Sequence, residues 1–181
     1  IGGAMANTFL LEKGHNVGKS LIEKNQSEIV KKVFREAKEN NCDIILPDDV
    51  VVSDSIENVN AIKNIELGDI NKSVSIFDVG EKTIEKISNI MATCKTLFWN
   101  GPLGVYEKPP FDNSTNIIGR TAAILTKSKL LTSVVGGGDT VAALNRAELS
   151  GGFSYVSIAG GALVEWLEGK KLPGLSFLEN N

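Results

Sequence analysis

The chain has 181 residues, enough to bury roughly 70% of its unfolded surface around one substantial core. Its 42% hydrophobic and 23% charged residues and its net charge of −3 are those of an ordinary globular protein, and no concentrated basic face is present to meet a nucleic acid. No apolar run approaches the roughly 18 residues that a membrane-spanning helix needs, and the first residues do not read as a signal peptide.

The chain opens on Ile1-Gly2-Gly3-Ala4, which reads as the last residue of a strand turning through glycines into a helix. Because Ile1 is not a methionine, we read the chain as a piece whose first strand and helix lie upstream. The single histidine, His15, sits beside Gly14 at a helix end, where a solvated C-terminal residue explains it and a catalytic triad is not called for. From Glu28 to Asn40 the residues Ile29, Val30, Val33, Phe34 and Ala37 recur at helical spacing, with Lys31, Lys32, Arg35, Glu36 and Lys38 on the other faces. Asn40-Asn41 stops that helix. Ile44-Ile45-Leu46 then reads as a short buried strand closed by Pro47, and Val50-Val51-Val52 as a second, followed from Ser53 to Asn64 by an excursion or a hairpin.

Val74 to Asp78 is the next strand, and Ile84, Ile87, Met91 and Cys94 lay one apolar stripe on the helix after it. Thr96 to Trp99 is a strand, Ile117 to Leu125 a helix, Leu130 to Val135 a strand and Thr140 to Ala147 a helix. Tyr155 to Ile158 and Ala162 to Leu167 close the series as strand and helix. Continuous apolar strands alternating with helices predict an α/β fold, a Rossmann-like three-layer sandwich with a mainly parallel sheet, spanning residues 1–181 as one domain. Cys42 and Cys94 stand far apart in unrelated contexts, which suits a reducing, cytoplasmic compartment, and no Cys/His cluster offers a zinc site.

In such sheets ligands lie beyond the carboxyl ends of the strands, and three glycine corners fall there: Gly2-Gly3, Gly136-Gly137-Gly138 and Gly160-Gly161. A strand that turns through glycine directly into a helix brings bare N–H groups and the positive end of the helix dipole to one place, a ready site for anions. Gly14 to Ser20 imitates a Walker A loop, but its glycines are four apart where that loop needs five, and it follows a helix instead of a strand. No run fits the GxGxxG dinucleotide fingerprint, which disfavours a dinucleotide-dependent oxidoreductase.

Gly136-Gly137-Gly138-Asp139-Thr140 is the strongest candidate. Asp139 and Thr140 could simply cap the helix, but three successive glycines exceed what capping needs and suggest a ligand at backbone distance. A carboxylate repels a polyphosphate unless Mg²⁺ stands between them, so Asp139 is either a cap or a magnesium ligand. Trp99 to Glu107 packs two glycines, a proline, an amide and a carboxylate into nine residues. It is either a rigid surface loop or a ligand loop placing Asn100 near phosphate and Glu107 on ribose hydroxyls.

Ile1 to Phe9, Leu46-Pro47-Asp48-Asp49-Val50-Val51-Val52, Trp99 to Glu107, Gly136 to Thr140 and Leu167-Glu168-Gly169-Lys170-Lys171-Leu172-Pro173-Gly174 occur in the order found in phosphoglycerate kinases. The chain resembles the C-terminal, nucleotide-binding half of that two-domain enzyme over nearly its whole length. The resemblance implies a glycolytic, cytoplasmic phosphotransferase, monomeric at full length, that moves a phosphoryl group between 1,3-bisphosphoglycerate and MgADP to give 3-phosphoglycerate and MgATP. It also implies that Gly2 and Gly3 line an adenine slot with Phe77, that Asn100 and Pro102 approach the phosphates, and that Glu107 holds the ribose. By the same likeness Asp139 sits on the magnesium, Gly137, Gly138 and Thr140 offer donors to the phosphates, and Gly160-Gly161 aims a helix start at the transferring group. The half that would bind 3-phosphoglycerate, and the lysine-bearing turn before Ile1, are not among these residues, so the piece alone is expected to be inactive. Ile76, Glu81 and Ile158-Ala159 depart from the family pattern, which commonly has glycine, proline and Thr-Gly there. The rival reading is a non-catalytic nucleotide-binding or interaction module on the same fold.

Overall fold

The computed structural model describes residues 1–157, 159–174 and 176. It is an α/β protein that divides into two compact units, one formed by Ile1–Ile90 with Pro102–Ile118, the other by Met91–Gly101 with the chain from Gly119 on.

The first unit opens with helix α1 (Gly3–Glu12), whose Gly2 is the N-cap. Helix α2 (Ser27–Glu39) keeps Val30 buried and its charged residues outward, as the 3.6-residue spacing requires. It ends at Asn40, and Asn41 takes φ 51°, the left-handed turn that asparagine tolerates. Phe9, Leu10, Val17, Val30 and Leu46 form one cluster, with the Phe9 and Phe34 rings edge to face at 5.4 Å.

The expectation of a strand at Ile44–Leu46 is corrected, because these residues join no ladder. Leu46 gives its side chain to the α1/α2 cluster, and the Ile45 carbonyl accepts the amino group of Ile1 at 2.9 Å. The strands of this unit are β1 (Asp49–Ser53), β2 (Lys63–Glu66) and β3 (Ser75–Val79), in the order β2-β1-β3. Ser53 to Asn64 is therefore the hairpin arm between β1 and β2, with Val52 opposite Lys63. Both pairings of β1 are antiparallel. The parallel expectation fails here for a topological reason: no helix of crossover length separates β1 from β3, so the chain returns antiparallel.

Helix α3 (Glu81–Thr93) starts in the first unit and leads to the second, as does α4 (Asn113–Lys127), which begins four residues earlier than Ile117. In the second unit β4 (Thr96–Asn100), β5 (Thr132–Gly136) and β6 (Tyr155–Val156) form a parallel sheet in that order, with Asn100 opposite Gly136. The predicted βα alternation holds there: α5 (Gly138–Arg146) follows β5 and α6 (Gly160–Leu167) follows β6. Trp99 is buried, with its ring 6.4 Å from that of Phe153, and its Nε1–H donates to the Gly101 carbonyl at 2.7 Å. Ile158, which the sequence assigns to the last strand, lies outside the described residues. Among the described residues no helix is long and apolar enough to cross a membrane. Cys42 is exposed and Cys94 half-buried, and both are free thiols.

Candidate functional site

In the second unit the β5–α5 corner is built by Gly137, which takes φ 87° and ψ 133°, a conformation closed to L side chains. A Cβ there would also stand 2.4 Å from Asn100 Oδ1, so the parallel neighbour's amide oxygen occupies the space that glycine leaves open. The N-cap of α5 is Gly137 itself, with no side-chain cap, and Asp139 is the second residue of the helix instead of its cap. Gly138 and Asp139 are exposed. Among the described residues no hydrogen bond or ion pair holds the Asp139 carboxylate, so the capping alternative does not describe it. An acid in the first turn is favoured by the helix dipole while its oxygens stay available.

Thr140 is different from its neighbours. Its side chain is fully buried, and its hydroxyl accepts the Gly101 N–H at 2.6 Å, which ties the exit of β4 to the first turn of α5. Its side chain thus serves the loop after Asn100, while its backbone N–H belongs to the open first turn of the helix. Gly160 and Gly161 begin α6, again without a side-chain cap. Ala159 N–H donates to Ser157 Oγ at 3.2 Å, and Ser157 is buried beside β5, its own N–H on the Val135 carbonyl at 2.8 Å.

In the first unit the structure brings Gly3 and Phe77 to one cleft of about 340 Å³, lined also by Ala4, Asn7, Lys19, Leu21, Ser75, Ile76, Gly104 and Val105. Its walls are apolar with a few polar groups, the make-up common to small-molecule sites. Gly2 stands beside it: a Cβ at Gly2 would meet Leu103 Cδ2 at 2.8 Å, and Gly3 N–H donates to the Leu103 carbonyl at 3.0 Å. Phe77 packs on Phe111 with centroids 4.8 Å apart, and its carbonyl accepts Val105 N–H at 2.9 Å. Ile76, the departure from the family's glycine, is one wall of this cleft, and Glu81 is the first residue of α3. Pro102 is half-buried and Glu107 exposed on the loop that follows. Asn100, in the second unit, is divided from Pro102 and Glu107 by the unit boundary after Gly101.

The Walker-like segment is a brace. Gly18, at φ 60°, is pressed so close to the Val74 carbonyl that a Cβ would stand 2.1 Å from it. Its N–H goes to Asn16 Oδ1 and that of Lys19 to Val74 O at 2.7 Å, so these donors are spent on protein. The brace nevertheless places Lys19 at the cleft, a residue that spacing alone gave no reason to choose.

Two buried aspartates complete the first unit. Asp49 Oδ1 accepts Thr83 N–H at 2.9 Å and Thr83 Oγ1–H at 2.7 Å, while its Oδ2 accepts Asn64 Nδ2–H at 3.0 Å and Lys82 N–H at 3.1 Å. Burial pushes this carboxyl up, but the donors of Thr83, Asn64 and Lys82 outweigh it and hold the group below its ordinary value. Asp78 Oδ2 accepts Ser114 N–H at 3.0 Å, and Oδ1 meets Ser114 Oγ and Val79 N–H. Here burial wins over those bonds, and the carboxyl is raised to about 7. The sequence places Asp78 at the end of the strand from Val74 and gives it no role at the site. The available signal was an acid next to the end of an apolar strand.

Among the described residues no group of three or more His, Cys, Asp or Glu side chains could hold a metal ion. A lone exposed carboxylate at a helix start suits a cation that takes most of its ligands from phosphate and water, which is the habit of Mg²⁺.

The family model for phosphoglycerate kinase matches residues 1–170. The phosphoglycerate kinase of Novosphingobium aromaticivorans is 48% identical over 180 residues, covering 99% of this chain and 46% of that protein. That of Zymomonas mobilis is 49% identical over 179 residues, covering 99% and 45%. Among solved structures, the phosphoglycerate kinase of Coxiella burnetii superposes with a TM-score of 0.92 at 38% identity, covering 99% of this chain and 45% of that one. The phosphoglycerate kinase of Pyrococcus horikoshii gives 0.71 at 27% identity. The chain spans less than half the length of these relatives.

Proposed function

This chain belongs to the phosphoglycerate kinase family, and on that premise we propose that it carries the nucleotide side of a reversible phosphoryl transfer between 1,3-bisphosphoglycerate and MgADP, in the cytoplasm. In that step the bond from phosphorus to the acyl oxygen breaks and a bond from phosphorus to a β-phosphate oxygen of ADP forms. The products are 3-phosphoglycerate and MgATP. Such a reaction needs little covalent help from protein; it needs the nucleotide held still and its developing charge neutralised.

In the first unit, Gly2 and Gly3 with Phe77 hold the adenine, Pro102 borders the loop toward the phosphates, and Glu107 takes the ribose hydroxyls. In the second, Gly137 and Gly138 allow the nucleotide phosphates to reach the bare N–H groups of α5, Thr140 contributes its backbone N–H, and Asn100 is their amide neighbour. Gly160 and Gly161 bring the start of α6 toward the transferring group. Asp139 holds the Mg²⁺ that accompanies the nucleotide, and when bound that ion screens the phosphate charge from the carboxylate and from the incoming oxygen. The observation that supports this reading most is the uncapped start of α5, where glycines, open N–H groups and an uncommitted Asp139 stand together.

We assign 3-phosphoglycerate to the part of a family member that these 181 residues do not cover, and on that reading they turn it over slowly or not at all by themselves. Titration calorimetry tests the proposal. The chain should bind MgADP, and Asp139→Ala should weaken MgADP while leaving metal-free ADP nearly unchanged. Absence of heat at millimolar nucleotide overturns the nucleotide reading, and equal losses with and without magnesium overturn the metal role.

A further inference from the structure

The loop from Pro102 to Glu107 is held on three sides within the first unit. At its start, Leu103 N–H donates to Thr115 Oγ1 at 3.0 Å and the Leu103 carbonyl accepts Gly3 N–H. Farther on, Val105 N–H is bonded to the Phe77 carbonyl at 2.9 Å. Between these ties Gly104 lies against the Asp78 carboxylate so closely that a Cβ would stand 2.2 Å from Oδ1 and 2.3 Å from the Phe111 carbonyl. Asp78 is the residue after Phe77 and is only 2% exposed. One carboxylate therefore touches the strand that carries the cleft wall, the loop that forms its other side, and, through Ser114, the first turn of α4.

Burial of a charge is offset only where its hydrogen bonds are strong enough, as they are at Asp49; at Asp78 burial outweighs them, which makes this carboxylate a costly tie for structure alone. We propose that Asp78 is a positioning residue for nucleotide: it fixes the Gly104 loop and the start of α4 against β3, and so sets the width of the cleft beside Phe77. The inference rests on the nucleotide reading of that cleft. Asp78 itself does not reach the ligand; it acts through Gly104, Val105 and Ser114.

The ionised carboxylate accepts three donors at once, two N–H groups and one hydroxyl, and protonation removes one of its acceptor positions. Cleft width and nucleotide affinity should therefore follow its charge. The charged group that acts on it is Asp112, at the entry to α4, which adds to the upward push of burial. The other elements packed on it offer uncharged groups: Val51 opposite on β1, Gly104 on the loop and Ser114 on α4.

The test is MgADP binding by the full chain across pH 6 to 8, compared for wild type, Asp78→Asn and Ser114→Ala. The wild type should bind more tightly as pH rises, in a one-proton step near 7. Asp78→Asn should weaken binding about tenfold at pH 8 and abolish that step. If Asp78→Asn does not fold, Ser114→Ala, which removes only the hydroxyl donor, should still weaken binding and move the step to higher pH. Wild-type binding with affinities and pH profiles unchanged in the variants overturns this inference alone. A wild type that binds no MgADP overturns it together with the nucleotide reading.

Discussion

Helices α3 and α4, which begin in the first unit, and helices α5 and α6 of the second start in opposite ways. The first turns of α3 and α4 are each received by a carboxylate from the neighbouring antiparallel sheet, Asp49 for Lys82 and Thr83, Asp78 for Ser114. Among the described residues, no carboxylate receives those of α5 and α6. The glycines beside them differ accordingly. Gly80 makes room for a protein acceptor, because a Cβ there would stand 2.2 Å from both Asp49 Oδ2 and Asn64 Oδ1. Gly138 and Gly161 have nothing within 4 Å. The same sequence signal, an apolar strand followed by glycine and a helix, thus has two uses. Where a carboxylate already satisfies the helix start, the corner is architecture; where the N–H groups stay open, it is available to an anion.

The comparison breaks first, and by the largest amount, if the two aspartates do not respond to pH in opposite directions. Folding raises the Asp78 carboxyl from 3.8 to about 7, so the native state holds this proton more tightly than the unfolded chain. Its contribution is full below pH 3.8 and is lost as pH rises through about 7, a change of up to about 4 kcal/mol by the usual conversion. Asp49 is lowered, so its contribution is present above the ordinary carboxylate value and is lost as pH falls through its folded one. Denaturant midpoints from pH 4 to 8 should show a decline toward high pH that Asp78→Asn flattens and Asp49→Asn does not.

Asp49→Ala should cost about 3 kcal/mol in urea unfolding, since it strands the buried donors of Thr83 and takes the acceptor from the part-buried bonds of Lys82 and Asn64. Asp139→Ala, on an exposed first turn with no bond to lose, should leave the midpoint within about 0.5 kcal/mol and instead weaken MgADP. Equal effects of the two alanines on stability would erase the contrast. Gly137→Ala should cost about 2 kcal/mol, because alanine is strained at φ 87° and its Cβ collides with Asn100 Oδ1. Thr140→Val should cost about 1 kcal/mol for leaving Gly101 N–H without its acceptor, with a loosened loop after Asn100 visible as faster amide exchange.

Much of the fold was legible because periodicity reports burial directly. The stripe of α2, the strands β4 and β5, and the glycine corner before α5 all stand where the residue pattern puts them. Ile44–Leu46 misled because a short apolar run has the same appearance whether it joins a ladder or only lends side chains to a cluster. The antiparallel sheet was hidden for a similar reason: a buried strand is apolar on both faces in either direction, and only the connection between strands sets its sense. At the candidate site, Gly3 and Phe77 share a cleft although 74 positions separate them, which motif order suggested and spacing could not. Lys19 was masked by its resemblance to a loop it does not form.

What the sequence determined by itself is local: which segments bury a face, where glycine must bend the chain, and, through motif order, the family. What tertiary structure decided is which helix starts are satisfied. That depends on Asp49 and Asp78 reaching residues more than thirty positions away. A hydrogen-bond donor is indifferent to the sequence distance of its acceptor, so only the folded chain determines whether a glycine corner is closed by its own carboxylate or left open to a ligand.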